Sequence, residues 1–228
     1  MADPLSPFRS SLLPVGVREL APHANPVTAI LMGRGGSLRL HLHGARVEGD
    51  MLLIRPGVVH GVVLPTRGAD IIYLNGLDFP SDAPLAEALE GKLAQLAGGA
   101  LEGGRDAVDE LRACLAASAS ATLPSVADVV RAIYDDPMRR MPQGELALRL
   151  GLERTKALRC FKAVTGQGFR EFKLWSAVQY AAAQMKEGAL VRTAAMDAGF
   201  ADTAHLSRVF RRVFGLTPSA AIAGLSVN

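Results

Sequence analysis

Between Val27 and Phe79 the chain alternates short apolar runs with turn residues, a spacing that predicts strands. Ser37–His43 (SLRLHLH) puts Leu38, Leu40 and Leu42 on one face and Arg39, His41 and His43 on the other. Gly44 and Glu48-Gly49-Asp50 read as turns around it, and Met51–Arg55 as a mostly apolar strand. Pro56-Gly57 punctuates before Val58–Leu64, and Ile71–Leu74 completes the set. These runs predict a small antiparallel β-domain.

The period then lengthens. Leu85, Leu89, Leu93 and Leu96 have helical spacing, with Gly98-Gly99 expected to end that helix. A second helix is expected after Gly103-Gly104, with Val108, Leu111 and Leu115 on one stripe. The two stripes have two possible destinations, the β-domain or a second subunit, and packing within the chain is the default. Pro124-Ser125 opens a new unit, with Ser125 as the expected N-cap and Asp128 in the first turn. From there to about Ala223 the pattern is helical, broken by Gly and Pro. The fold class is therefore α+β.

The helical half repeats itself. Ala157, Cys160, Phe161 and Val164 form a buried stripe, and forty-nine residues on stand Leu206, Val209, Phe210 and Val213. Gly166 and Gly215 match at the same offset and are expected to cap the two helices. Upstream, ELALRLGL (Glu145–Leu152) aligns with TAAMDAGF (Thr193–Phe200) at an offset of forty-eight. Each unit is a short helix, a Gly-containing turn and a longer helix: a helix-turn-helix, present twice.

Charge sharpens that picture. Through Thr122 there are ten Lys/Arg against thirteen Asp/Glu, and from Leu123 onward fifteen against nine. A basic half behind an acidic one suggests a polyanion-binding module attached to something with another task. Opposite the first stripe lie Arg154, Thr155, Lys156, Arg159 and Lys162. Opposite the second lie Thr203, Ala204, His205, Ser207, Arg208, Arg211 and Arg212, with Arg208 at the place of Arg159 and Arg211 at that of Lys162. Arginine can bridge guanine O6 and N7, small polar residues can approach a base edge, and basic residues near a helix end can meet phosphate.

Composition excludes other classes. Apolar residues are 49% and charged ones 21%, which fits neither a disordered nor a collagen-like chain. No apolar run approaches the ~18 residues that span a bilayer, and MADPLSPFRS lacks the pattern of a secretory signal. Cys114 and Cys160 lack metal-site spacing, and no framework of disulfides can come from two cysteines. Gly33-Arg34-Gly35-Gly36 lacks the Lys-Ser/Thr of a phosphate loop, and no Ser sits in a nucleophile elbow. No enzyme activity is expected, and the chain reads as soluble and cytoplasmic, with no membrane partner.

Residues 124–223 resemble the DNA-binding domain of the AraC/XylS family of bacterial transcription regulators. AAMDAGFADTAHLSRVFRRVFGLTPSA carries most of the likeness, through Gly199-Phe200, His205, Ser207-Arg208, Phe210, Phe214-Gly215 and Thr217-Pro218. The first unit matches at Leu146-Ala147, Gly151-Leu152, Arg159, Phe161-Lys162 and Thr165-Gly166. The resemblance implies two helix-turn-helix units joined by a long helix, here about Gly168–Glu187, with both recognition helices in successive major-groove segments. Three positions depart from the family: Glu153 replaces a usual serine cap, Ala157 a leucine and Ala177 an arginine of the connecting helix. Glu153 is read as a favourable charge at a helix N-terminus.

VEGDMLLIRPGVVHGV (Val47–Val62) resembles the cupin-type sensor domains that precede many family DNA-binding domains, at Gly49-Asp50, Pro56-Gly57 and His60. Residues 1–97 are accordingly assigned to a reduced cupin-like sensor or dimerisation domain, 98–123 to a linker and helix, and 124–228 to the DNA-binding domain. Gly35, His41, His43 and Glu48 resemble the first cupin metal motif, and with His60 they would make a metal site. Ordinary polar or pocket-lining histidines are preferred, so Arg39, His41, His43 and His60 are ligand-site candidates, and no metal or cofactor is expected. The resemblance implies a regulator with promoter DNA as partner, a small-molecule effector, RNA polymerase and a homodimer as further partners. The competing reading is a cupin metalloenzyme with a helical appendage. A third reading has an N-terminal half that only binds protein.

Overall fold

The computed structural model describes residues 8–13, 17–77, 79, 82–115, 124–139 and 141–223. Among the described residues nine strands make two antiparallel sheets. The first has the order β1 (Phe8–Leu13), β8 (Ala69–Leu74), β3 (Thr28–Gly33), β6 (Met51–Ile54), β9 (Ala86–Ala88). The second has the order β2 (Glu19–His23), β7 (His60–Val63), β4 (Leu38–Leu42), β5 (Ala45–Gly49). The α+β class is the one expected from the sequence.

The two-residue period of a strand explains why one sheet alternates in sequence and the other does not. In the second sheet Leu40 pairs with Val62 and Val47 on the inner face, while Arg39 faces outward beside Glu48 and Val63. The first sheet is covered on both faces. Ala29, Leu31, Leu52, Ile54, Ile71 and Tyr73 point into the sandwich. Their neighbours Ile30, Met51, Leu53, Ile72 and Leu74 point the other way, onto α1 (Gly91–Glu102) and α2 (Arg105–Leu115). Every residue of β6 is consequently buried.

Two sequence expectations change here. The leucine stripe from Leu85 is not one helix: Ala86–Ala88 pairs with β6, and Leu85 is exposed. Gly98 and Gly99 do not end α1. Gly103 does, in a left-handed conformation that lets its N–H reach the carbonyls of Ala100 and Gly99. Gly99 serves close packing instead, because a Cβ there would stand 3.1 Å from the Cβ of Ala107. Both helices thus pack on the sheet, and α1 runs through position 97, where the sequence reading divides the chain.

Beyond, α3 (Pro124–Asp135), α4 (Gln143–Leu150) and α5 (Arg154–Thr165) precede the long α6 (Phe169–Lys186), and α7 (Val191–Asp197), α8 (Thr203–Phe214) and α9 (Pro218–Ala223) follow it. Proline starts α3, so Ser125 lies within its first turn rather than capping it. The first part of α6 belongs to one core and the rest to another. Phe169 and Phe172 pack edge-on against Phe161 and Tyr134, with α3–α5. From Trp175 to Met185 the same helix packs with α7–α9 and the interior of the β-sandwich, Trp175 lying against Tyr73 and Phe214. No helix among the described residues is long and apolar enough to cross a membrane.

Candidate nucleic-acid interface

The two long helices of the repeat are α5 and α8, and they correspond residue for residue at an offset of forty-nine, from Arg154 and Thr203 to Thr165 and Phe214. Each ends on a glycine in the left-handed region, Gly166 at φ 75° and Gly215 at φ 74°, whose N–H returns to the carbonyl four residues back. Each also begins on a carboxylate. Glu153 Oε2 accepts from the N–H groups of Thr155 (3.0 Å) and Lys156 (3.3 Å), and Asp202 Oδ1 accepts from His205 N–H (2.6 Å). The Thr155 N–H, helped by that of Lys156, holds the Glu153 carboxyl below the usual carboxylate range. The acid that departs from the family pattern is thus a helix cap, and the second unit uses one at the equivalent place.

Burial separates two faces on each helix. Ala157, Phe161 and Val164 are buried in the first, and Leu206, Val209, Phe210, Val213 and Phe214 in the second. Arg154, Thr155, Lys156, Arg159 and Lys162 are exposed, as are Thr203, Ala204, Arg208, Arg211 and Arg212. Ser207 and His205 are half-buried, the latter because its ring packs edge-on against Phe200 of the preceding turn. The eighteen residues of α6 give a strut of about 27 Å between the two units. Its first turn is closed by Glu171, whose carboxylate accepts from the Gly168 N–H at 3.3 Å.

The cationic surface continues off the two helices. Arg139, from the turn between α3 and α4, and Arg170 and Lys173, from the start of α6, share a groove with His205, Arg208 and Arg212. Sequence reasoning missed these three because they lie outside the repeated long helices. No periodicity connects them.

The N-terminal candidates do not gather. His41 is opposite Gly61 in the β4–β7 pairing, whereas His60 is one residue earlier on β7, so the two rings point to opposite faces of the sheet. Arg39, His41 and Glu48 lie on the outer face, with His43 exposed just past the end of β4. His60 is buried and packs on His23 of β2, their ring centroids 4.3 Å apart. The metal set of His41, His43, His60 and Glu48 and the shared pocket of Arg39, His41, His43 and His60 are corrected by that one-residue offset. Among the described residues no three His, Cys, Asp or Glu side chains meet as a metal site would require.

What faces the buried pair is the second unit. A Cβ on Gly215 would stand 2.6 Å from His23 Nδ1 and 2.7 Å from the Ala21 carbonyl, so only glycine fits there. Burial and the neighbouring His60 lower the His23 pKa to about 4, and burial lowers that of His60 as well. Each ring donates from Nδ1 to the carbonyl two residues before it, at 2.8 Å.

Comparison with known proteins agrees with this geometry. Residues 146–223 match the family described as "Helix-turn-helix domain". A protein of Streptomyces lividans described as an AraC-like transcription regulator is 32% identical over 96 residues, 42% of this chain and 32% of that protein. A protein of Streptomyces antibioticus with the same description matches to the same extent. The matched region thus spans about a third of the length of these curated relatives. Among solved structures, ToxT from Vibrio cholerae O395 has a TM-score of 0.61 at 13% identity, with 98% of each chain covered. ToxT of strain SCE256 with a bound unsaturated fatty acid has a TM-score of 0.53 at 14% identity, covering 97% of this chain and 95% of that one. Residues 146–223 are a helix-turn-helix domain similar to that of AraC-like transcription regulators, and the chain that carries them shares the fold of ToxT over both its parts.

Proposed function

We propose that the protein is a sequence-specific DNA-binding transcription regulator whose β-domain controls how two recognition helices engage a promoter. The observation that carries this reading is the recurrence of one exposed basic face, Arg159 and Lys162 on α5, Arg208 and Arg211 on α8, on two helices joined by a single strut. Arg159 and Arg208 read base edges in neighbouring major-groove segments, and Lys162, Arg211 and the other basic residues of both helices hold phosphate. Thr155, Thr203, Ala204 and Ser207 lie where short side chains let a helix approach the bases.

The control element acts at the seam between β-domain and helices. A hollow of about 460 Å³ there is lined by Asn25 and Trp175, among others, and Asn25 Oδ1 is buried without a hydrogen-bond partner. A ligand that donates to Asn25 and packs on the indole would touch both parts at once and bias their arrangement. The fatty acid bound to ToxT makes an amphipathic acid the first class of effector to test. A homodimer reading two half-sites, contact with RNA polymerase and a cytoplasmic location complete the proposal. The cupin metalloenzyme alternative has lost its ligand set to the strand register.

Mobility shifts against matched and scrambled promoter DNA test the central claim. Arg208→Ala and Arg159→Ala should each weaken specific binding by about 1–3 kcal/mol. Lys162→Ala should weaken all sequences alike and lower the salt slope. Unchanged specific binding after Arg208→Ala removes α8 as a recognition helix. Sedimentation at micromolar concentration, with and without DNA, tests the dimer.

A further inference from the structure

Where the α3–α4 turn and the start of α6 meet the second helix-turn-helix unit lies a groove of about 660 Å³ that the two long helices of the repeat alone do not explain. Its walls come from three places: the α3–α4 turn, the start of α6, and the turn and helix of the second unit. The α3–α4 turn and the second unit pack together there, since a Cβ on Gly199 would stand 3.4 Å from the Met138 Cα. Arg139, Arg170, Lys173, Arg208 and Arg212 all line it, and no acidic residue does. Glu145, outside the groove, bridges Arg139 at 2.7 Å but also Arg149 at 2.9 Å, so one carboxylate is shared between two cations. Lys173 is committed, donating to the Met141 carbonyl at 2.7 Å with its ammonium over the Phe169 ring. Arg170 is exposed, and its charge, after burial, lowers the Lys173 pKa.

Such a density of like charge costs energy in the isolated protein and is relieved when an anion binds. The position of Arg208 says which anion. It is an exposed residue of α8 and also lines the groove, which therefore opens onto the surface proposed to meet bases. A duplex laid across α5 and α8 must carry its sugar–phosphate strand past the space between them.

We propose that this groove seats the phosphodiester backbone linking the two segments read by α5 and α8, and that Arg170 is its principal phosphate contact, supported by Arg139. The inference rests on the regulator reading and adds a third, sequence-independent contact to the two recognition helices. Arg170 acts as charge rather than as a base reader, so lysine can replace it.

The test uses the full chain and a fluorescein-labelled 30-base-pair duplex of arbitrary sequence, with binding followed by anisotropy over a salt series. Arg170→Gln should reduce affinity about five- to tenfold near 0.1 M salt and lower the slope of log K against log salt by about 1. Arg170→Lys should restore both, and Arg46→Gln, on the outer face of the second sheet, should change neither. Circular dichroism melts of each variant separate loss of binding from loss of fold. Wild-type affinity and slope in a folded Arg170→Gln protein, while Lys162→Ala lowers both, would overturn the groove and leave the regulator reading standing. Loss of tripolyphosphate binding by Arg170→Gln with duplex binding intact would overturn it too, in favour of a free polyphosphate. Failure of the wild type to bind any duplex at low salt would overturn both readings.

Discussion

The two helix-turn-helix units share a sequence pattern but not an attachment. The second shares one continuous apolar cluster with the interior of the β-sandwich, in which Trp175 and Phe214 meet Tyr73. Its long helix α8 also ends on strand β2: the N–H groups of Ala21 and Ala24 donate to the carbonyls of Gly215 (3.0 Å) and Arg212 (3.2 Å). Asn25 Nδ2 donates to the Val213 carbonyl at 2.6 Å. Carbonyls that every helix leaves unpaired at its C-terminus are thus satisfied by the other domain. The first unit keeps a core of its own, and around Asn75 the β-domain meets it through side-chain hydrogen bonds. Gln167 Nε2 donates to Asn75 Oδ1 (3.1 Å) and Asn75 Nδ2 to the Tyr134 hydroxyl (3.5 Å), while Arg112 of α2, on the β-domain side, donates to the Asn75 carbonyl (2.6 Å). Moving the second unit away from the β-domain would expose a hydrophobic core. Moving the first means exchanging polar contacts with water, which is less costly.

The largest expected break in this asymmetry is Trp175→Ala. Its side chain is 1% exposed and lies where sandwich and second unit join, so its loss should cost about 3–5 kcal/mol in urea unfolding. Hydrogen exchange should rise in α8 and β2 before α5. Exchange that accelerates first in α5 would contradict the division of cores.

The paired glycine caps sharpen the contrast. Alanine at either pays about 1–2 kcal/mol for the left-handed backbone. At Gly215 it also collides with His23 and Ala21, adding roughly 1–3 kcal/mol, whereas nothing comes closer than 3.8 Å to a Cβ on Gly166. Gly215→Ala should therefore lower the urea midpoint clearly more than Gly166→Ala. Equal losses would mean that the second seam yields as easily as the first.

Acid offers the smallest and most selective effect. His23 resists protonation down to about pH 4, while in the unfolded chain it takes a proton near pH 6.5. The stabilising difference is present above pH 6.5 and is lost as the pH falls toward 4, by roughly 1–2 kcal/mol between pH 7 and 5. Near Asn75 the first unit presents the Tyr134 hydroxyl, which burial pushes up to about 12 and which stays neutral across this range. Amide exchange at pH 5 should accelerate at the end of α8 more than at the end of α5. His23→Asn should remove the difference, and persistence of the acid effect in that variant would exclude the histidine.

Much of the architecture could be read from residue spacing because local periodicity carries it. The α5 and α8 stripes, the caps at Gly166 and Gly215 and the alternation of β4 are properties of consecutive residues. Spacing does not reveal strands β2 and β9, because Glu19–His23 and Ala86–Ala88 are short and owe their pairing to distant partners on β7 and β6. The histidine grouping failed for the same reason. Composition brings His41 and His60 together, and a one-residue register places them on opposite faces.

The amino-acid sequence alone determined that two amphipathic helices with matching basic faces recur at a constant interval, because helical period and capping are set within a few residues. Tertiary structure decided that the second unit shares its core with the β-sandwich while the first keeps a core of its own and meets the β-domain around Asn75, and that Arg139 and Arg170 join Arg208 in one groove. Those outcomes depend on contacts between distant segments, whose geometry follows from how whole elements pack against one another.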